Sequence, residues 1–255
     1  MASTAFDSHL EGLDGPHGAH AGHHPSLQHQ FDSLEQQKES STLGMWMFLV
    51  TEIMFFGGVF TAYVIYRSMP QFHGVFATAS HELNVLLGAI NTGVLIFSSL
   101  TMALAIRAAQ VNRQKLILLF LVLTIALGST FLVVKAFEYK EKFEHSLVPG
   151  PGFQFMGMTY RGFASEPEHM SPELIAIGGR AQIFFALYFI MTGIHALHMI
   201  IGIGVLIWLF VLSWKRRFDS TYYNPLECAG LYWHFVDIVW IFLFPLLYLI
   251  GAHAR

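Results

Sequence analysis

Five runs of apolar residues, each about as long as the 20-residue helix that crosses a ~30 Å hydrocarbon core, constrain this chain more than any other feature. They cover roughly Gly44 to Tyr66, Asn84 to Ile106, Leu116 to Phe137, Ile183 to Leu212 and Ala229 to Ala252. Arg67 and Pro70 close the first, Arg107 and Arg113 the second, and the polar cluster Lys135, Glu138, Lys140, Glu141 and Lys142 the third. Between the third and fourth runs, about 139 to 180, the chain carries Pro149, Gly150, Pro151, Gly152, Pro167 and Pro172, too polar and too broken to cross a membrane. The expected fold is all-α: a polytopic membrane bundle of about five transmembrane helices with one extracytoplasmic loop.

Composition agrees, with 54% hydrophobic and only 12% charged residues, against roughly 25% charged in soluble domains. A net charge of −3 with no extended basic patch gives no reason to expect nucleic acid as a partner. The single cysteine, Cys228, excludes an internal disulfide and a thiolate zinc site. Residues 1 to about 40 hold six of the fourteen histidines, His9, His17, His20, His23, His24 and His29, without apolar periodicity, and read as a disordered, solvated tail. No basic flank and cleavage site precede the first apolar run, so no signal peptide is expected there.

Loop charges set the orientation. The connections after the second and fourth runs hold Arg107, Arg113 and Lys115, then Lys215, Arg216 and Arg217, whereas the connection after the first holds only Arg67. Short cytoplasmic loops carry the excess of Lys and Arg, which places the N-terminus in the cytoplasm and the C-terminus on the periplasmic side.

Ionisable groups inside apolar runs are costly and normally face a partner. Glu52, His195, His198, His234 and Asp237 are the candidates. Counted at 1.5 Å per residue from the inner ends, Glu52 and Asp237 lie roughly 12 Å deep, His234 roughly 8 Å, and His198 roughly 21 Å, with His195 deeper still. His195 and His198 are three residues apart, as are His234 and Asp237, so each pair shares a helix face. These groups serve as interhelical hydrogen bonds that lock a bundle, as a donor set for iron or zinc, or as carboxylates that handle protons. A metal site lacks the Glu-x-x-His repeat of di-iron bundles, and a transporter would show an inverted repeat that is not visible. Phe55, Phe56, Phe60, Tyr232, Trp233, Phe235 and Trp240 are packing or interfacial aromatics, and Gly57, Gly58, Gly193 and Gly202 are expected where helices approach closely.

The segments FLVTEIMFFGGVF (48 to 60), TGIHALHMIIG (192 to 202) and LYWHFVDIVWIFLFPLLYLIG (231 to 251) resemble the signature stretches of subunit III of haem-copper terminal oxidases, and the likeness extends from about 42 to 252. The resemblance places the family's membrane glutamate on Glu52, its helix histidines on His195 and His198, its Trp-His-Phe-x-Asp element on Trp233, His234, Phe235 and Asp237, and its Glu-Tyr pair on Glu138 and Tyr139. It implies a chain of the bacterial cytoplasmic membrane with no haem, copper or catalytic residue of its own. Such a chain packs on subunit I alongside subunit II, binds phospholipid, and supports proton uptake and durability in turnover. Trp233, Phe235, Arg216, Arg217 and Glu138 are then lipid-binding or packing positions. The complete enzyme would reduce O2 with electrons from cytochrome c or quinol and pump protons. Two helices that begin the seven-helix members are missing here, as in five-helix bacterial members. The middle of the long loop, near Gly150 to Ile177, has no counterpart in shorter members, and as the outer loop it is a candidate contact for cytochrome c or another respiratory complex.

Overall fold

The computed structural model describes residues 28–156, 158–161, 172–218 and 222–249. Among these residues, six helices and one hairpin follow in chain order: α1 (Leu34–Ser68), α2 (Pro70–Ser80), α3 (Val85–Gln110), α4 (Gln114–Glu144), β1 (Pro151–Phe155), β2 (Met158–Arg161), α5 (Pro172–Trp214) and α6 (Asn224–Tyr248). Five of them, all but α2, are long and apolar enough to cross a membrane. The chain divides into two compact units, Met1–Ser40 and Ser41–Arg255.

In the first unit, helix formation starts earlier than the apolar run does. The Gln36 N–H donates to Ser33 Oγ at 3.1 Å, and the Asp32 N–H donates to Gln36 Oε1 at 2.8 Å, satisfying amide groups that a helix start leaves without partners. The tail expected to be structureless to about residue 40 is therefore helical from Leu34; the six histidines named above lie in the tail, and only His29 falls among the described residues.

In the second unit, α3 packs on α4 and α6, and α5 packs on the same two helices, so the four close a ring. Trp233 of α6 fills its centre. A Cβ on Gly128 of α4 would lie 2.7 Å from Trp233 Cη2, and one on Gly202 of α5 would lie 3.0 Å from Cζ3, so the indole touches both neighbours only because those positions lack side chains. Its Nε1–H donates to Ser98 Oγ of α3 at 3.0 Å. Thr101 and Thr124 join α3 to α4 at 2.8 Å, and Trp240 Nε1–H donates to Thr92 Oγ1 at 3.0 Å. Gly57 and Gly58, expected at a close helix contact, face open space, and Gly193 meets only the Tyr139 hydroxyl at 3.9 Å.

α1 joins this ring through side chains: Phe56 lies against His198 of α5 (5.2 Å) and Phe235 of α6 (6.1 Å), and the Tyr63 hydroxyl donates to the Leu246 carbonyl at 2.5 Å. The connection after α1 is not a plain loop. Pro70 begins α2 instead of merely ending α1, because its missing N–H is no loss in a first turn. α2 buries Phe72, Phe76 and Ala79 and lies along α5, with Phe76 on Phe184 at 5.2 Å. The long loop likewise contains an antiparallel hairpin, β1 with β2, whose Phe153 and Phe155 pack on Phe185 of α5.

Candidate functional site: three carboxylates inside the helices

Glu52 of α1 faces α5. Its Oε2 lies 3.0 Å from His198 Nε2, while His198 Nδ1 lies 2.9 Å from the Ile194 carbonyl. A carbonyl only accepts, so Nδ1 carries a proton. A hydrogen bond across the Nε2 to Oε2 contact requires one further proton, placed either as imidazolium with carboxylate or as imidazole with carboxylic acid, and the pair is neutral in both arrangements. Tyr232 of α6 donates to the His198 carbonyl at 3.0 Å and fixes the helix segment that carries the ring. Side-chain exposure of 19% for Glu52 and 13% for His198 puts the pair at the edge of the bundle.

Counted along the apolar runs, these two groups differ in depth by roughly 9 Å. They meet because α1 begins at Leu34, ten residues before the apolar run starts at Gly44. His195, three residues before His198, does not share its contact: three residues of helix leave positions about 60° apart, enough to reach another seam. The fully buried His195 ring sits between Phe131 of α4 (5.5 Å) and Trp240 of α6 (5.1 Å), and neither nitrogen has a hydrogen-bond partner among the described residues.

Glu138 has the opposite surroundings. Its Oε2 accepts from Lys135 Nζ at 2.8 Å, and its Oε1 accepts from the Tyr188 and Tyr248 hydroxyls at 2.9 and 2.5 Å. Lys135 also donates to the Tyr248 hydroxyl at 2.8 Å and lies 5.0 to 5.5 Å from the ring centres of Tyr139, Tyr188, Trp240 and Tyr248. Tyr139 hydrogen-bonds Thr192 of α5 at 2.5 Å. The cluster ties α4 to α5 and α6. Lys135, Tyr188 and Tyr248 were not among the residues singled out from sequence. In sequence Lys135 marks the polar end of a span, but α4 continues to Glu144 and buries it. The usable signal was its spacing of three from Glu138 on one helix face.

Asp237 and His234, both on α6, do share a face. With Ser99 of α3 they line a cavity of about 390 Å3 between α3 and α6. His234 Nδ1 and Ser99 Oγ are 2.6 Å apart, and neither Asp237 oxygen has a hydrogen bond among the described residues. Phe235 is buried against Phe56. Arg216 lines a second cavity, about 710 Å3, with Asn112, Arg113, Gln114, Lys115, Leu116 and Phe218; Arg217 is exposed beside it. The Gln114 side chain donates to the Ser213 carbonyl and joins the α3–α4 turn to the end of α5. Glu52, Asp237, His195 and His198 do not converge: among the described residues, no three His, Cys, Asp or Glu side chains form a metal-binding group.

Five apolar helices with polar groups held at their seams define a multi-pass membrane protein. A family model described as cytochrome c oxidase subunit III matches residues 29–148 and 175–252. The chain is 33% identical over 257 residues to cytochrome c oxidase subunit 3 of a Synechocystis strain, covering 98% of this chain and 88% of the relative. It is 30% identical over 220 residues to a probable quinol oxidase subunit 3 of Staphylococcus aureus, covering 86% and 94%. The chain belongs to the cytochrome c oxidase subunit III family, the third subunits of haem-copper oxidases. It is thus one component of an oxygen-reducing oxidase and associates with other subunits of that complex.

Proposed function

We propose that this chain is the non-redox third subunit of a proton-pumping cytochrome c oxidase in a bacterial cytoplasmic membrane, packed on subunit I near subunit II. In this reading it holds phospholipid, keeps protons supplied to the catalytic subunit and prolongs its working life, while haem and copper reside in the partners. The observation that carries the proposal is the Glu52–His198 pair, a carboxyl group and an imidazole 3.0 Å apart at the edge of the bundle. A group that only locked helices together would not need to be both proton-bearing and partly exposed.

The orientation with the N-terminus inside is supported by Arg113, Lys115 and Arg216 lining one cavity, which gathers basic residues from two connections at the same end of the bundle. That cavity has the chemistry of an anionic phospholipid headgroup site. The outer loop, with its hairpin, is the proposed contact for the electron donor or another respiratory complex. Deleting 150–177 should lower donor turnover; unchanged assembly and unchanged turnover would overturn that contact.

Replacing Glu52 by Ala tests the central claim. Assembly and the initial rate of O2 reduction should persist, while activity decays over fewer turnovers and proton uptake slows. Loss of the haem spectrum would overturn it, because Glu52 would then be required to build subunit I. The quinol branch is the second reading, favoured by the name of the S. aureus relative. Supplying the purified oxidase with reduced cytochrome c or with a quinol separates the two.

A further inference from the structure

Asp237 is 3% exposed, yet among the described residues neither of its oxygens has a hydrogen bond. The Ser99 hydroxyl lies close enough to act on the Asp237 carboxyl group, but it has a single proton and also contacts His234 Nδ1 at 2.6 Å, so it serves at most one of the two carboxyl oxygens. An unsatisfied buried polar group costs about 1 to 3 kcal/mol, and more when charged. Glu52 and Glu138 each find their partner inside the chain. Asp237 instead lines a cavity of about 390 Å3, and no lysine or arginine is among the residues that line it.

Depth narrows what fills that cavity. By helical rise Asp237 lies roughly 20 Å from Asn224 and roughly 17 Å from Tyr248, near the middle of α6. Phospholipid headgroups do not reach this level, and acyl chains donate no hydrogen bond. The rim is aliphatic and open, with Ile96 and Leu100 of α3 and Ile238 and Ile241 of α6 between 44% and 54% exposed. Ser99 and Ala103, four residues apart, line the same face and leave room for a backbone to come close.

We infer that the α3/α6 face around Asp237 is the docking surface for one membrane-spanning helix of another oxidase subunit, which places a hydrogen-bond donor in the cavity against the Asp237 carboxyl group. The inference rests on the reading that this chain works inside a multisubunit oxidase. It adds the face that is used and the chemistry that face requires of its partner.

The test uses the intact oxidase. A photo-crosslinking amino acid at Ile238, which leaves Asp237 in place, should yield an adduct with a single other oxidase subunit, mapped to the middle of one of its spans within a turn of a donor side chain. Adducts with lipid alone, or no adduct, would overturn the docking. In parallel, Asp237→Leu should reduce retention of this chain on the haem-bearing subunit during detergent washing by roughly three- to tenfold, the scale of one interhelical polar contact. Asp237→Asn, which keeps an acceptor, should stay near the unsubstituted level; equal retention in all three would overturn the inference. If Asp237→Leu does not accumulate, the crosslink decides alone. Failure of the unsubstituted chain to co-purify with a haem protein would remove the oxidase reading and the docking together, whereas co-purification with only lipid labelled at Ile238 removes the docking alone.

Discussion

Glu52 lies inside an apolar run and Glu138 in the polar cluster that ends one, and the bundle surrounds the two carboxylates in opposite ways. Glu138 is 3% exposed and meets a lysine and two tyrosine hydroxyls. Glu52 is 19% exposed and meets one histidine. Burying an ion pair is expensive and becomes tolerable only when the remaining acceptors are filled; the Glu138 cluster fills them and draws three helices together in doing so. A single partner at an edge leaves the carboxyl group partly exposed and its other oxygen outside the pair. The difference teaches that an intramembrane carboxylate is read by how many partners it has and how much of it is covered, not by its presence in an apolar run.

The largest way to break this contrast is to remove the cation from the buried cluster. Lys135→Met should destabilise the chain by about 3 to 5 kcal/mol, the cost of leaving one member of a buried pair, seen as a lower thermal midpoint in detergent. Adding Glu138→Gln should recover more than half of that loss; an unmoved midpoint in the single variant would mean the cluster does not hold the helices together. Next in size, Gly128→Ala drives a methyl group into the Trp233 ring and should cost about 1 to 3 kcal/mol. Trp233→Phe in that background should restore part of it, because the clashing ring atoms are gone. In the unmodified background Trp233→Phe should cost about 1 kcal/mol through the lost bond to Ser98. The smallest effect on stability should come from Glu52→Gln, under about 1 kcal/mol, since the amide can donate to His198 Nε2 and keep the contact. The same variant removes the transferable proton, so faster loss of activity during turnover with an unchanged midpoint would sharpen the contrast, and a large fall in midpoint would erase it.

The membrane-spanning architecture was legible because apolar runs report the bilayer. Helix ends were not, because hydrogen bonding carries a helix past the hydrocarbon: Ser33 and Gln36 start α1 ten residues before Gly44, and α4 runs on to Glu144. Asn84 was the exception, since its side chain accepts from the Leu87 N–H at 3.0 Å and starts α3 where the apolar pattern begins. α2 was missed because eleven residues led by a proline look like an interruption. Of the polar groups, Glu52, Asp237 and the histidines stood out by contrast with their neighbours, but their partners depended on which seam each faced. A residue such as Ser99, unremarkable in sequence, becomes informative only when α3 and α6 bring it to His234.

One consequence of the Nδ1 proton on His198, held by the Ile194 carbonyl, concerns the voltage an energised membrane sustains. A full elementary charge crossing 100 mV exchanges about 2.3 kcal/mol with the field. With one proton shared between Nε2 and Oε2, the Glu52–His198 unit carries no net charge whichever atom holds it, and in that form the field exerts no net pull on it. Only the arrival of a second proton, or the departure of the one it holds, would make this seam between α1 and α5 sensitive to voltage.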